Sequence, residues 1–375
     1  MRDGLRVATL RATEPSYESE GGFAVLRTKE QPLKRGQSYV LTPRSRVGVT
    51  QAKRRKGREM RTTDTILGLL RERGSKGLPL ERVYRLLYTP DLYLTAYGKI
   101  YRNHGAMTKG TTDETVDGMS LRKIEAIIQA LREGTFQWPP VRRVYIPKKQ
   151  GKKRPLGLPD WSSKLVQEVI RMILEAYYEP QFSNHAHGFR PGRGCHTALR
   201  EIRTCWTGTV WFIEGDIARC FDALDHQLLL SILREHIHDE QFITLISRLL
   251  KAGYLEDWTF HKTLSGVPQG GIVSPVLSNI YLDRLDKYVD QTLAPHYTRG
   301  KGRRVNREYE RLADQAGYYR RKGEREKAMH LKRQAQHLPS LDPADPEYRR
   351  LRFIRYADDW LIGLYVRYHL ERSGR

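Results

Sequence analysis

Tyr356-Ala357-Asp358-Asp359 sets two adjacent carboxylates between two apolar runs that read as β-strands. Leu351 to Ala357 and Trp360 to Val366 are expected to pair as a hairpin with Asp358 and Asp359 at its tip. One Asp in a turn is ordinary, because its side chain hydrogen-bonds nearby backbone. Two like charges side by side repel unless a cation joins them, and hard divalent ions such as Mg²⁺ prefer carboxylate oxygen. A solvated turn is the competing reading, and a second strand-end Asp decides between the two.

Thr209-Val210-Trp211-Phe212-Ile213 is a short β-branched and aromatic run that continues through Glu214 and Gly215 to Asp216. This places Asp216 near the end of a buried strand, where a carboxylate is costly unless it is paired or bound to metal. Asp216 with Asp358 makes a clamp for two Mg²⁺ ions roughly 4 Å apart, the arrangement that serves in-line nucleotidyl transfer. Asp222 and Asp225 precede the apolar-periodic stretch Leu228, Leu229, Leu230, Ile232 and Leu233, so a helix N-cap or first-turn role suits them better than metal binding.

Other blocks widen the pattern. In order they are Asp117-Gly118-Met119-Ser120; Arg142-Arg143-Val144-Tyr145-Ile146-Pro147-Lys148 followed by Gly151-Lys152-Lys153-Arg154-Pro155-Leu156-Gly157; and His187-Gly188-Phe189-Arg190-Pro191-Gly192-Arg193. Then come Asp216 through Phe221-Asp222; Gly266-Val267-Pro268-Gln269-Gly270-Gly271 with Ser274-Pro275-Leu277-Ser278-Asn279; and the Tyr-Ala-Asp-Asp tetrad. From about Asn103 to Leu364 the chain resembles the reverse transcriptases encoded by bacterial and organellar group II introns. The resemblance implies an α+β, right-hand polymerase fold, with fingers and an incomplete palm in this chain and the thumb absent. It implies RNA-directed DNA polymerase chemistry: a primer 3′-hydroxyl attacks the α-phosphate of a deoxynucleoside triphosphate. The implied partners are an intron RNA template, a DNA primer or target, and deoxynucleoside triphosphates; binding of intron RNA for splicing and mobility follows from the same likeness. A retron-type or defence-associated bacterial reverse transcriptase, and a non-catalytic RNA-binding splicing helper or remnant, stay open as alternatives.

The resemblance also assigns roles to residues. Asp216 and Asp358 hold the metals, and Asp359 assists the metal site or orients the primer. The basic block from Val141 to Pro159 carries seven Lys and Arg and no acid, and Lys149-Gln150-Gly151-Lys152 reads as the tip of a hairpin. In the family this hairpin closes over the incoming nucleotide, which makes Lys148 and Arg154 the candidates for its triphosphate. Lys149, Lys152 and Lys153 are candidates for template phosphates. Phe221 stands where the family places an aromatic ring under the incoming sugar, favouring deoxynucleotides. Gln269 is placed to hydrogen-bond across the nascent base pair, because flanking glycines let backbone approach closely. Arg190 and Arg193 fall in a tight basic loop suited to template or nucleotide contact.

The formal charge of +23 agrees with a polyphosphate partner. Cys195, Cys205 and Cys220 form no Cys-x-x-Cys pair, which argues against structural zinc or a disulfide framework. There is no apolar run of membrane-spanning length and no leader pattern, so the chain reads as soluble, without a membrane partner, and cytoplasmic in a bacterium or organellar.

The organisation reads in six parts: a basic, poorly ordered extension over 1–62; a helical N-terminal region of the fingers over 63–138; fingers over 139–205; palm over 206–296; a charged helical insertion over 297–348; and the catalytic hairpin with an aberrant tail over 349–375. Amphipathic helices are expected over Thr65 to Arg73, Leu80 to Leu87, Leu121 to Leu131, Ser162 to Leu174, 226–236, 240–252 and Ser274 to about Leu293, with a hairpin around Trp258 to Leu264. From Lys301 to Arg333, 12 Lys/Arg against 5 Asp/Glu and few branched aliphatics suggest two charged helices, either a solvated hairpin or an RNA-binding insertion. The tail beyond Leu364 does not look like the family's continuation, so a truncated chain, inactive by itself, is expected.

Overall fold

The computed structural model describes residues 62–103, 105–147, 153–257, 259–263, 265–267, 270–343 and 345–365. Its helices are α1 (Thr63–Ser75), α2 (Pro90–Ile100), α3 (Leu121–Glu133), α4 (Trp161–Tyr178), α5 (Cys195–Cys205), α6 (Cys220–Ala223), α7 (His226–Arg234), α8 (Glu240–Leu250), α9 (Ser274–Tyr288), α10 (Ala294–Tyr297), α11 (Arg307–Arg321) and α12 (Arg325–Gln336). Its strands are β1 (Val141–Pro147), β2 (Lys153–Leu158), β3 (Trp211–Asp216), β4 (Tyr254–Glu256), β5 (Thr259–His261), β6 (Arg350–Tyr356) and β7 (Asp359–Tyr365). The strands form a four-stranded sheet in the order β2-β1-β4-β5 and a three-stranded sheet in the order β3-β7-β6.

α4 is the axis of the main core. Leu165, Val166, Val169, Ile170, Ile173 and Leu174 are fully buried, and its polar Lys164, Gln167 and Glu168 are buried with them. A helix apolar nearly all round must be covered on every side, and α1, α2 and α9 pack against it. Lys164 keeps its ammonium satisfied by donating to the Gly105 and Thr108 carbonyls at 3.0 and 2.8 Å.

Local signals place several boundaries. Ser120 Oγ accepts from Lys123 N to start α3, and Gly134, at φ 72°, ends it in the left-handed geometry that suits a residue without Cβ. Ile124, Ile127, Ile128 and Leu131 form the buried stripe between these caps. Asp225 caps α7 by accepting from Leu228 N at 2.9 Å, while Asp222 falls in the first turn of the short α6.

Other expectations need correction. Leu80 to Leu87 is no amphipathic helix: Leu80 bridges Ile237, Arg82 turns left-handed, and only a 3₁₀ turn over Val83–Tyr88 follows. α2, which the sequence reading missed, begins at Pro90, a residue suited to the first helical position because its lost N–H has no partner there. The second hairpin starts at Tyr254, earlier than expected, and turns at Asp257. The helix from Ser274 does run to about Leu293, but past Tyr288 it widens into a π turn over Val289–Leu293 before α10, next to Pro295, which has no amide proton for the ladder. β3 is not a buried strand; its residues alternate between half-buried and exposed, and Asp216 is exposed.

α11 and α12 form the two charged helices expected after Lys301, and only Ala328 and Ala335 are buried on them. Bridges between Arg299 and Arg349 and between Val305 and Leu341 close the return to β6. The basic extension and the tail beyond residue 365 lie outside the described residues. No described helix is long and apolar enough to cross a membrane.

Candidate active site

The acidic tetrad is split between a strand end and a turn. β6 and β7 pair antiparallel from Arg350↔Tyr365 to Tyr356↔Asp359, leaving Ala357 and Asp358 as a two-residue turn. Ala357 has φ 57°. Positive φ at the first turn residue is the hairpin geometry that glycine prefers, so alanine there stores strain that its surroundings must hold. Asp359 is therefore not at the tip; it is the first residue of β7 and stands directly opposite Asp216 on β3. Ile217 N donates to the Asp358 carbonyl at 3.2 Å, tying the turn to the end of β3.

Residues opposite each other in an antiparallel pair project to one face, so the register crowds carboxylates. Burial, followed by the charges of Asp358, Asp216 and Glu214, pushes the Asp359 carboxyl above its ordinary range. Such crowding is what a bound cation relieves. No group of three acidic, His or Cys side chains among the described residues is arranged to hold a metal unaided. A small hard ion that keeps water and draws further ligands from substrate phosphates fits one or two carboxylates of this kind.

Asp216 and Asp358 open onto a cleft of about 520 Å³ that is also lined by Lys153, Arg154, Phe189, Arg219, Phe221 and Gly270. β1 and β2 pair from Arg142↔Leu158 to Pro147↔Lys153, so Lys153 and Arg154 emerge where the strand leaves the hairpin tip, and both are exposed. The Phe221 ring is partly buried against the main core and meets Phe189 edge-on at 6.2 Å. Val267 N donates to Phe221 O at 2.7 Å and Gly266 N to Leu224 O at 2.8 Å, so the Gly-rich loop is pinned beside that ring. A Cβ on Gly270 would overlap the Gly157 carbonyl oxygen; this glycine lets the loop lie against β2. A larger depression of about 950 Å³ lies between α11 and α12, lined in part by Tyr318, Tyr319 and Lys327, and none of the residues predicted for chemistry reaches it.

The family described as reverse transcriptase (RNA-dependent DNA polymerase) matches residues 146–373. The chain belongs to the reverse transcriptase family. The group II intron-encoded protein LtrA of Lactococcus lactis subsp. cremoris is 46% identical over 291 residues, covering 76% of this chain and 48% of that protein. An uncharacterized 91 kDa protein in cob intron of Schizosaccharomyces pombe is 39% identical over 300 residues, 77% of this chain and 37% of that one. A putative COX1/OXI3 intron 1 protein of Saccharomyces cerevisiae is 38% identical over 275 residues, 73% and 32% of the two chains. This reverse transcriptase chain thus spans about half, or less, of the length of these relatives. Reverse transcriptases as a family use divalent metal ions.

Of the residues singled out in the reverse transcriptase sequence, Asp216, Asp358, Lys153, Arg154 and Phe221 share the cleft, whereas Asp359 adjoins it through β7. Lys148, Lys149, Lys152 and Gln269 lie outside the described residues. Arg190 is placed differently from the basic-loop reading. Its guanidinium is buried, bonds both Glu179 carboxylate oxygens at 3.0 to 3.1 Å, and donates to the Ala186 carbonyl at 2.8 Å. An arginine so engaged braces its own loop and has no free face for a phosphate. Arg193, half-exposed, donates to the Asn184 carbonyl and side chain.

Two things escaped the sequence reading. Arg219, left-handed at φ 52°, adds a third cationic side chain to the cleft, and its place three residues after Asp216 was the available signal. Arg355, Asp286 and Asn279 form a buried polar group behind the turn, which only the meeting of β6 with α9 reveals.

Proposed function

We propose that this chain carries the nucleotidyl-transfer centre of a group II intron-encoded RNA-directed DNA polymerase, with β1 and β2 as fingers and the β3-β7-β6 sheet as palm. The observation that carries this reading is the register that brings Asp216 and Asp358 to one cleft with Lys153, Arg154 and Phe221. Asp216 and Asp358 are the residues that would hold Mg²⁺, two ions in the full site, with Asp359 adding its charge through β7. When bound, the metal supplies Lewis-acid stabilisation of the transferring phosphoryl group.

The chain's own groups do the rest. Arg154, with Lys148, offers charge-assisted donors to the triphosphate and to the departing pyrophosphate. Phe221 presents its ring to the sugar and disfavours a 2′-hydroxyl, and Gln269 contacts the nascent base pair. Lys153, with Lys149 and Lys152, follows the template backbone, and Arg193 remains a candidate for the same contact. The net charge of +23 suits an RNA template, a DNA primer and an intron RNA, whose binding for splicing and mobility follows from the resemblance to group II intron-encoded proteins.

The test is extension of a DNA primer on an RNA template with Mg²⁺, in a version of the chain completed with the region that follows in its relatives. Asp216→Ala and Asp358→Ala are each expected to abolish extension and to retain RNA binding, because phosphate affinity is spread over many basic residues. Near-normal extension by either variant refutes the metal assignment.

A further inference from the structure

Behind the acidic turn lies a buried polar group that the proposed chemistry does not use. The Arg355 side chain is 1% exposed and the Asp286 side chain 0%. Arg355 Nε and Nη2 donate to the two Asp286 carboxylate oxygens at 2.7 and 2.6 Å. Its remaining nitrogen, Nη1, donates to the Ala357 carbonyl at 2.7 Å and to Asn279 Oδ1 at 3.3 Å. Asn279 Nδ2 in turn donates to the Gly188 carbonyl at 2.9 Å, and Gly188 lies so close to Ala357 that a Cβ there would overlap the Ala357 nitrogen. The backbone of Arg355 completes the arrangement, donating to the His185 carbonyl and accepting from His187 N, both at 2.8 Å.

A buried ion pair is a weak device for stability, because desolvating both charges offsets most of their attraction. What this pair touches is more telling. A guanidinium presents its N–H groups in a rigid planar fork, so one edge fixed on α9 dictates where the other edge points. That other edge holds the carbonyl of Ala357, the strained residue immediately before Asp358.

We propose that Arg355 is a positioning residue: Asp286 and Asn279 orient its guanidinium, which fixes the left-handed geometry of Ala357 and so aims Asp358 at Asp216. The proposal rests on the reading of Asp216 and Asp358 as metal-holding carboxylates. It separates Arg355, whose side chain never faces the cleft, from residues that touch substrate.

The test compares Arg355→Lys, which keeps the charge and loses the fork, with Asn279→Ala, which removes the amide that braces Nη1 and holds the Gly188 carbonyl but leaves the Arg355–Asp286 pair, and so guards against misfolding of the first variant. Two readouts are taken: Mn²⁺ binding followed by electron paramagnetic resonance, and hydrogen exchange of peptides covering 356–359 and α4. Both variants are expected to bind Mn²⁺ more weakly, with Arg355→Lys in the range of about 10- to 100-fold that outer-shell changes produce. Exchange at the turn is expected to rise about tenfold or more in Arg355→Lys, as for a lost charge-assisted hydrogen bond, with α4 unchanged. Unchanged turn exchange and unchanged Mn²⁺ affinity overturn the proposal. So does equal acceleration at α4 and the turn, which makes the pair a general stabiliser. Asp358→Ala runs alongside: if it binds Mn²⁺ like the parent, the metal reading fails, and turn exchange alone then decides whether Arg355 holds the turn.

Discussion

Gly188→Ala is the most economical perturbation of this site, because it adds one methyl group where backbone meets backbone. The new Cβ would overlap the Ala357 nitrogen outright and stand 2.9 Å from its Cα and 3.1 Å from its Cβ. Neither side yields easily. Gly188 is held by Asn279 and by the neighbouring His187–Arg355 hydrogen bond, and Ala357 is held by the Arg355 guanidinium. Relieving the overlap moves the turn by a sizeable part of an ångström.

Overpacking of this kind costs about 1–3 kcal/mol, well inside the roughly 5–15 kcal/mol that keeps a folded chain folded. The protein should therefore fold. Misplacing a reacting group by about 1 Å, however, costs on the order of 100-fold in rate. The expected outcome is a modest fall in urea midpoint and a loss of primer extension approaching two orders of magnitude at saturating nucleotide. Gly98→Ala, on α2 with open space around the new methyl, serves as control and should match or slightly exceed the parent in stability. Parent-like extension by Gly188→Ala would show that the loop does not press on the turn and would refute the reasoning.

Other expectations follow from the same geometry. Arg154→Ala should raise the KM for deoxynucleotides about 10- to 100-fold, the equivalent of a charge-assisted hydrogen bond; steady-state extension at varied nucleotide concentration checks this, and an unchanged KM removes Arg154 from the triphosphate. Phe221→Ala should increase ribonucleotide incorporation relative to deoxynucleotide, measured by competitive single-nucleotide addition; no increase leaves Phe221 as a core residue packed on Phe189. Burial, outweighing the attraction of Glu201, holds His187 below the usual histidine range. Between its folded value and the unfolded value near 6.5 the unfolded chain binds more protons, so stability rises with pH, is complete above about 6.5, and is lost on acidification below it. Thermal melts from pH 7 to 5.5 should show this decline, with a shallower slope in His187→Gln; identical slopes would show that His187 is not its source.

Much of the site was legible in the sequence because its determinants are local. Apolar runs specify β6 and β7, the Asp pair marks the turn, and the caps Ser120, Gly134 and Asp225 sit one step from the helices they bound. Order along the chain was enough to group Asp216 with Asp358, which line one cleft, since matching blocks were read together. What the sequence could not decide depends on partners far away in it. Arg190 sits in a basic motif and reads as a phosphate ligand, yet burial beside Glu179 turns it inward. Asp359 reads as the twin of Asp358, yet the two-residue turn puts one in the loop and the other in the strand opposite Asp216. Arg355 reads as a polar interruption in an apolar strand until α9 delivers Asp286 and Asn279 to it from 69 and 76 residues away in the chain. A charge near the sequence surface of a motif carries no mark of which way it faces; only packing, which sets desolvation against pairing, settles that.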